Sequence, residues 1–178
     1  MDVKGANSTT LDEVRAASST SKSQLYHHFP DKEALVRAVV DAQASGILER
    51  QGQQLQRLSS VRGLERWRDA LVQRNSLRKG AYGCPLGSLA NELADQDEQA
   101  RSALAAHFRA WEGLLAAGLT RMRDAGKLRA DADPATLAVG LMAALQGGYL
   151  LAQTARDTTP MRIALDMAID HVRTFTTG

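Results

Sequence analysis

The chain has 178 residues, 44% of them hydrophobic but only 4% aromatic, with four prolines, a single cysteine and a formal net charge of +2. That length supports one or two small domains with a real core, and the lone cysteine excludes a disulfide framework. With no alternating Val/Ile/Thr runs and no visible signal peptide, a helical protein of the reducing cytoplasm is expected, and the charge permits nucleic-acid binding without requiring it.

In chain order, Thr10 and Glu13 form a capping pair ahead of a helix of two to three turns, with Leu11, Val14, Ala17 and Ser18 as its inward stripe. A tight break at Ser18–Ser19–Thr20 follows. Ser21 and Gln24 form a second capping box, in which the Ser hydroxyl accepts the Gln24 amide proton and the Gln side chain reaches back, so a helix starts at Lys22. Leu25 and Phe29 make an apolar seam that faces a core, while Lys22, Ser23, Tyr26 and His27 point outward. Pro30 cannot continue that helix, and Asp31 caps the next, which opens with Lys32 and Glu33. Two short capped helices, a turn of three or four residues and a polar outer face on the second make a helix-turn-helix. The stretch is not basic: up to Val36, Lys4, Arg15, Lys22 and Lys32 stand against Asp2, Asp12, Glu13, Asp31 and Glu33.

A long helix is expected over 32–56, with Leu35, Val36, Val39, Val40 and Ile47 inside, although Gly46 and Gly52 weaken its far end. After Ser59–Ser60 comes a helix over 61–79 with Leu64, Trp67 and Leu71 inward. Three Gly and a Pro in residues 80–87 interrupt the chain, and Pro85 opens the next helix. A long amphipathic helix over 97–125 buries Leu104, Phe108, Trp111, Leu115, Leu119 and Met122, until Gly126 stops it. Asp133 caps a helix opened by Pro134. From Leu137 to Ala152 it is apolar almost all round, so it must be buried on more than one side. Its Ala and Gly content and polar flanks argue against a membrane span, which takes ~20 strongly apolar residues. Pro160 separates it from a last helix with Met161, Leu165, Ala168, Val172 and Phe175 recurring inward.

Chemistry-bearing residues are sparse. His27 and His28 are adjacent, so on a helix of ~3.6 residues per turn they diverge and cannot chelate one ion. His107 and His171 lack acidic or sulfur partners at ligand spacing, so no metal is expected. Cys84, near a helix start, could serve as a redox sensor or nucleophile. The plainer reading, a small core or pocket residue, is preferred because neither a resolving cysteine nor a base accompanies it. No phosphate-cradling loop or G-x-S-x-G elbow is present, so neither an enzyme nor a cofactor is expected.

The run TTLDEVRAASSTSKSQLYHHFPDKEAL, residues 9–35, resembles the DNA-binding signature of TetR-type transcriptional regulators, with Leu25, Tyr26, Phe29, Lys32 and Leu35 at the characteristic positions. It departs at Ser19, where the family usually has Gly, and at Thr20, where it has an aliphatic residue. Ser19 would then adopt a left-handed conformation at modest cost. Residues 83–90, GCPLGSLA, with the acidic run beyond, resemble the regulatory domain of the LmrA/YxaF-like branch.

The resemblance implies an all-α chain, with a helix-turn-helix DNA-binding domain over 1–45 and a ligand-binding and dimerisation domain over 46–178. It also implies a first helix of which Met1–Gly5 is only the last turn, so the sequence is expected to start late or else to lack that helix. Lys22, Ser23, Gln24 and His27 would enter the major groove, and Thr10, Tyr26, His28 and Lys32 would hold phosphates. Trp67, Phe108, Trp111, Met142 and Tyr149 read as core on periodicity alone. The resemblance places an inducer pocket there, together with Leu71, Cys84 and Leu145, and Gln146, Arg74 and Asn91 are candidate anchors. The implied protein is a homodimer joined through its last two helices, where Ala143, Ala144, Gly147 and Gly148 permit close approach. It would be a repressor released from operator DNA by a small hydrophobic or aromatic inducer. The alternative is a helical small-molecule binding module without DNA function.

Overall fold

A computed structural model describes residues 10–18, 21–77 and 83–177, with the side chains of Leu11 and Lys22 excepted. The expectations for Met1–Gly5, for Ser19 and Thr20, and for the glycine-rich stretch before Gly83 lie outside the described residues. The helices are α1 (Leu11–Ser18), α2 (Lys22–His28), α3 (Lys32–Leu55), α4 (Val61–Ser76), α5 (Pro85–Leu93), α6 (Glu98–Asp124), α7 (Pro134–Ala155) and α8 (Thr159–Arg173). Among the described residues the extended pairing is an isolated bridge between Leu128 and Thr176.

The chain forms two compact units that interleave in sequence, residues 1–46 with 85–107, and residues 47–84 with 108–178. The long helices α3 and α6 each contribute to both, because neither Gly46 nor Gly52 breaks α3.

In the first unit the core gathers Leu25, Leu35, Val36, Val40, Leu86, Leu93 and Leu104. Val14 and Phe29 are half-buried. Ala17 and Ser18, expected inward, are exposed: α1 ends there, and the Ser18 hydroxyl folds back to donate to the Arg15 carbonyl at 3.3 Å. His107 Nε2 lies 2.8 Å from Asp41 Oδ1, joining α6 to α3.

In the second unit Leu64, Trp67 and Leu71 of α4 are buried, as are Trp111, Leu115, Leu119 and Met122 of α6 and Met161, Leu165, Ile169 and Val172 of α8. Leu58, between α3 and α4, fills a socket whose walls are Gly63 and Gly118; a Cβ at either glycine would collide with its side chain. Arg121 fixes the same segment by donating to the carbonyls of Leu55 at 2.7 Å and Leu58 at 3.1 Å, and Lys127 Nζ donates to the Ser59 carbonyl at 2.9 Å. These cations sit where a helix C-terminus leaves carbonyls without intrahelical donors.

Gly126, at φ +69°, ends α6 as expected. Asp133 caps α7 by accepting from the Ala135 amide at 3.1 Å. The break after α7 is made by Arg156, in the left-handed region at φ 54°, whose amide donates to the Ala152 carbonyl. Pro160 lies in the first turn of α8, so it opens that helix; it does not make the separation expected of it.

Within the subunit α7 is buried on one side, through Leu137, Leu141, Met142, Leu145 and Ala152, while Val139, Leu150 and Leu151 are exposed, so the subunit alone does not supply the burial on more than one side expected of it. The same chain also occupies the space at Gly148: a Cβ there would stand 2.8 Å from the Met161 Cα, so this glycine serves α7–α8 packing. Gly147, one residue before it, faces open space.

A row of ion pairs joins α4 to α8. Arg68 pairs with Asp166, Arg162 with Asp69 at 3.0 Å, and Arg173 with Glu65.

Candidate nucleic-acid interface and regulatory core

The second helix is set at its start by hydrogen bonds that the sequence specifies. Gln24 N donates to Ser21 Oγ at 3.2 Å and Ser21 N donates to Gln24 Oε1 at 3.1 Å, a complete capping box. Its end is closed by the Phe29 amide on the Leu25 carbonyl at 2.8 Å. Upstream, the Glu13 amide donates to Thr10 Oγ1 at 3.2 Å and the Thr10 amide to Glu13 Oε2 at 3.0 Å. Downstream, the Ala34 amide donates to Asp31 Oδ1 at 2.7 Å. Leu25 turns into the core at 6% exposure, which leaves Ser23, Gln24, Tyr26, His27 and His28 on the surface.

Of the residues expected at DNA, Lys22 opens α2 and Thr10 is exposed with its hydroxyl engaged by Glu13. Lys32 is half-buried and lines an open groove of about 640 Å³, with Asp31, Glu33, Asp97, Glu98 and Arg37 also on its walls. Carboxylates therefore outnumber cations around Lys32. Gln24 has a double assignment: the oxygen that would accept from adenine already accepts from Ser21.

The nine residues expected at the inducer pocket all fall in the second compact unit. Trp67, Leu71, Cys84, Trp111, Met142 and Leu145 are buried, and Phe108, Gln146 and Tyr149 are half-buried. Gln146 Nε2 lies 3.6 Å from Met142 Sδ. The Tyr149 hydroxyl lies deep enough that burial pushes its pKa well above the usual phenol range; Cys84 adds to this, and the charges of Arg74 and Arg50 oppose it. Of the other two anchors, Arg74 is exposed, and Asn91 is exposed on α5 in the first unit. Trp111 Nε1 is buried with no hydrogen-bond partner among the described residues.

Sequence reading missed two buried polar residues. Gln51 accepts from Trp67 Nε1 at 2.7 Å, both residues being 2% exposed, and Asn75 Nδ2 lies 3.6 Å from Met161 Sδ while its oxygen has no partner among the described residues. The spacing of Ile47, Gln51 and Leu55 is a readable signal, since residues four apart share one helix face.

Two short capped helices with a polar outer face, continued by a long helix into an all-helical second unit, define a helix-turn-helix regulator. The chain belongs to the TetR family: the model of "Bacterial regulatory proteins, tetR family" matches residues 1–39, and that of "Tetracyclin repressor-like, C-terminal domain" matches residues 55–168. It is similar to an uncharacterised HTH-type transcriptional regulator of Lactococcus lactis, 27% identical over 172 residues and covering 92% of this chain and 83% of that one. It is likewise similar to the HTH-type transcriptional regulator LmrA of Bacillus subtilis, 26% identical, with 89% and 83% covered. Among solved structures, the regulatory protein TetR from Rhodobacter sphaeroides shares the fold at a TM-score of 0.83 and 23% identity, with 96% of this chain and 91% of that one covered. A cysteine mutant of the TetR family regulator CifR, solved with 26-bp double-strand operator DNA, shares it at 0.80 and 22% identity, with 95% and 89% covered. The chain is thus a DNA-binding transcriptional regulator and not an enzyme, which sets aside the binding module without DNA function.

Proposed function

We propose that the protein is a cytoplasmic homodimeric repressor that a small hydrophobic or aromatic inducer releases from its operator. The observation that carries ligand response is Trp111 Nε1, a buried donor without a partner among the described residues, in the unit that also holds the buried Trp67, Leu71, Met142 and Leu145 and the half-buried Phe108. An unsatisfied buried donor costs about 1–3 kcal/mol, and a ligand carrying one acceptor on an apolar body would recover much of that. Cys84, Gln146 and Tyr149 complete the pocket in this reading.

The dimer is supported by the apolar groups left uncovered on α7 and α8: Val139, Leu150, Leu151, Ile163 and Met167 are each at least half exposed. Gly140, Ala143 and Gly147 lie exposed on α7. A four-helix interface would bury this face. Two-fold symmetry then presents two α2 helices to successive major grooves, about 34–36 Å apart, with Ser23, Gln24, His27 and Lys22 at base edges and Thr10, Tyr26, His28 and Lys32 at phosphates. Release follows from linkage: the inducer lowers operator affinity only by its preference for the conformation that does not bind DNA.

The test is an operator selected from a random duplex library, then titrated by anisotropy with apolar aromatic compounds that carry a carbonyl. Compounds that quench tryptophan should weaken DNA binding in proportion. Quenching compounds that leave operator affinity unchanged would overturn the inducer reading.

A further inference from the structure

A second cleft opens beside Trp67 in the second unit. It has about 360 Å³ and is lined by Gln54, Arg57, Leu58, Gly63, Arg66 and Trp67. Two of its six lining residues are arginines and none is acidic. Both arginines are exposed, and neither makes a hydrogen bond or ion pair among the described residues. Arg68, Arg162 and Arg173 of this unit face carboxylates, and Arg121 holds backbone carbonyls, so none of these four is available to the cleft.

The backbone under the cleft is fixed. Leu58 sits in its glycine socket, and Arg121 and Lys127 hold the carbonyls of Leu55, Leu58 and Ser59. Arg57 projects from this segment and Arg66 from α4, and both line the cleft with Leu58 and Trp67. Paired guanidiniums suit a planar carboxylate, which accepts bidentate charge-assisted hydrogen bonds.

We propose that this cleft binds a small aromatic carboxylate, with the carboxylate between Arg57 and Arg66 and the ring against Leu58 and the edge of Trp67. The site is distinct from the Trp111 pocket proposed above. Trp67 Nε1 donates to Gln51 of α3, the helix whose first turn follows directly on α2 in the chain.

The test uses full-length protein with ¹⁵N-labelled tryptophan, whose two indole N–H signals are assigned with Trp111→Phe or Trp67→Phe. Benzoate should shift the Trp67 signal saturably and leave the Trp111 signal in place. Neutral benzamide should bind at least tenfold more weakly, as should sulfate at matched ionic strength. The double variant Arg57→Gln, Arg66→Gln changes exposed side chains only and should weaken benzoate at least tenfold. An unmoved Trp67 signal, equal binding of benzamide or sulfate, or an unaffected double variant overturns the site. Movement of the Trp111 signal alone also overturns it, and supports the inducer pocket instead.

Discussion

Gln24 holds two roles on one amide, and they are separable by substitution. Its oxygen accepts from the Ser21 amide, so Gln24→Ala removes a cap as well as any base contact and should cost a few tenths to about 1 kcal/mol in stability. Gln24→Glu keeps the capping acceptor, so its melting temperature should stay within error of wild type. Its new carboxylate should weaken DNA binding generally and move the preferred base from adenine toward cytosine. His27 is exposed and lies outside the caps, so His27→Ala should leave stability alone and relax preference at one position per half-site in a binding-site selection. An unchanged selection for both Gln24→Glu and His27→Ala would show that α2 is not the reading element. The two tryptophans offer a matching contrast in the core. Trp67→Phe strands the Gln51 oxygen in a buried site and should cost about 1–3 kcal/mol beyond the lost volume. Trp111→Phe removes a donor that has no partner among the described residues, so its urea midpoint should fall less.

At the scale of elements, the α4–α8 seam makes stability depend on pH in a definite direction. Burial raises the Asp69 pKa, but the hydrogen bond from Arg162 and the charges of Arg68 and Arg162 outweigh it and hold the carboxyl below its ordinary value. A lowered carboxylate contributes stability above its unfolded value, near ~4, and loses it as pH falls through the lower folded value. Asp69→Asn should therefore flatten the fall in melting temperature below ~pH 4, and salt should shrink the difference between the two proteins. Identical acid melts in low salt would remove the seam from the account. The end of α7 carries a different strain. Arg156 occupies the left-handed region, which disfavours β-branched side chains most, so Arg156→Val should destabilise by about 1–2 kcal/mol and Arg156→Gly should not.

For the whole molecule, neighbouring glycines on α7 separate folding from assembly. Gly148 abuts the backbone of Met161, so Gly148→Val should overpack the α7–α8 contact by about 1–3 kcal/mol and lower the melting temperature of the subunit. Gly147 has open space where a Cβ would be, so Gly147→Arg should leave the subunit folded and halve the mass seen by light scattering. A Gly147→Arg protein that remains dimeric would sink the α7–α8 interface. On DNA, Lys32→Ala should weaken all sequences alike and reduce the salt slope by about 0.9, the counterion released at one phosphate.

The capping signals at Thr10, Ser21, Asp31 and Asp133 were legible in the sequence, and so were the starts of α2, α3 and α7, because a cap involves residues two or three apart. Inward positions such as Leu25, Leu64, Trp67, Leu115 and Leu165 were legible for a related reason, since a stripe repeats within one helix. The ends of helices were less so: Arg156, a residue with no turn signature, stops α7, while Pro160 starts α8. Tertiary structure alone decided what the buried polar residues Gln51 and Asn75 meet, and which of two adjacent glycines meets a neighbour. It also decided that α7 is covered on one side and that residues 85–107 join the first compact unit. Periodicity reports that a side chain belongs to an apolar face, but the partner on that face comes from another part of the chain. The Trp67–Gln51 bond spans sixteen residues and the Asn75–Met161 contact eighty-six, distances over which no local pattern carries information.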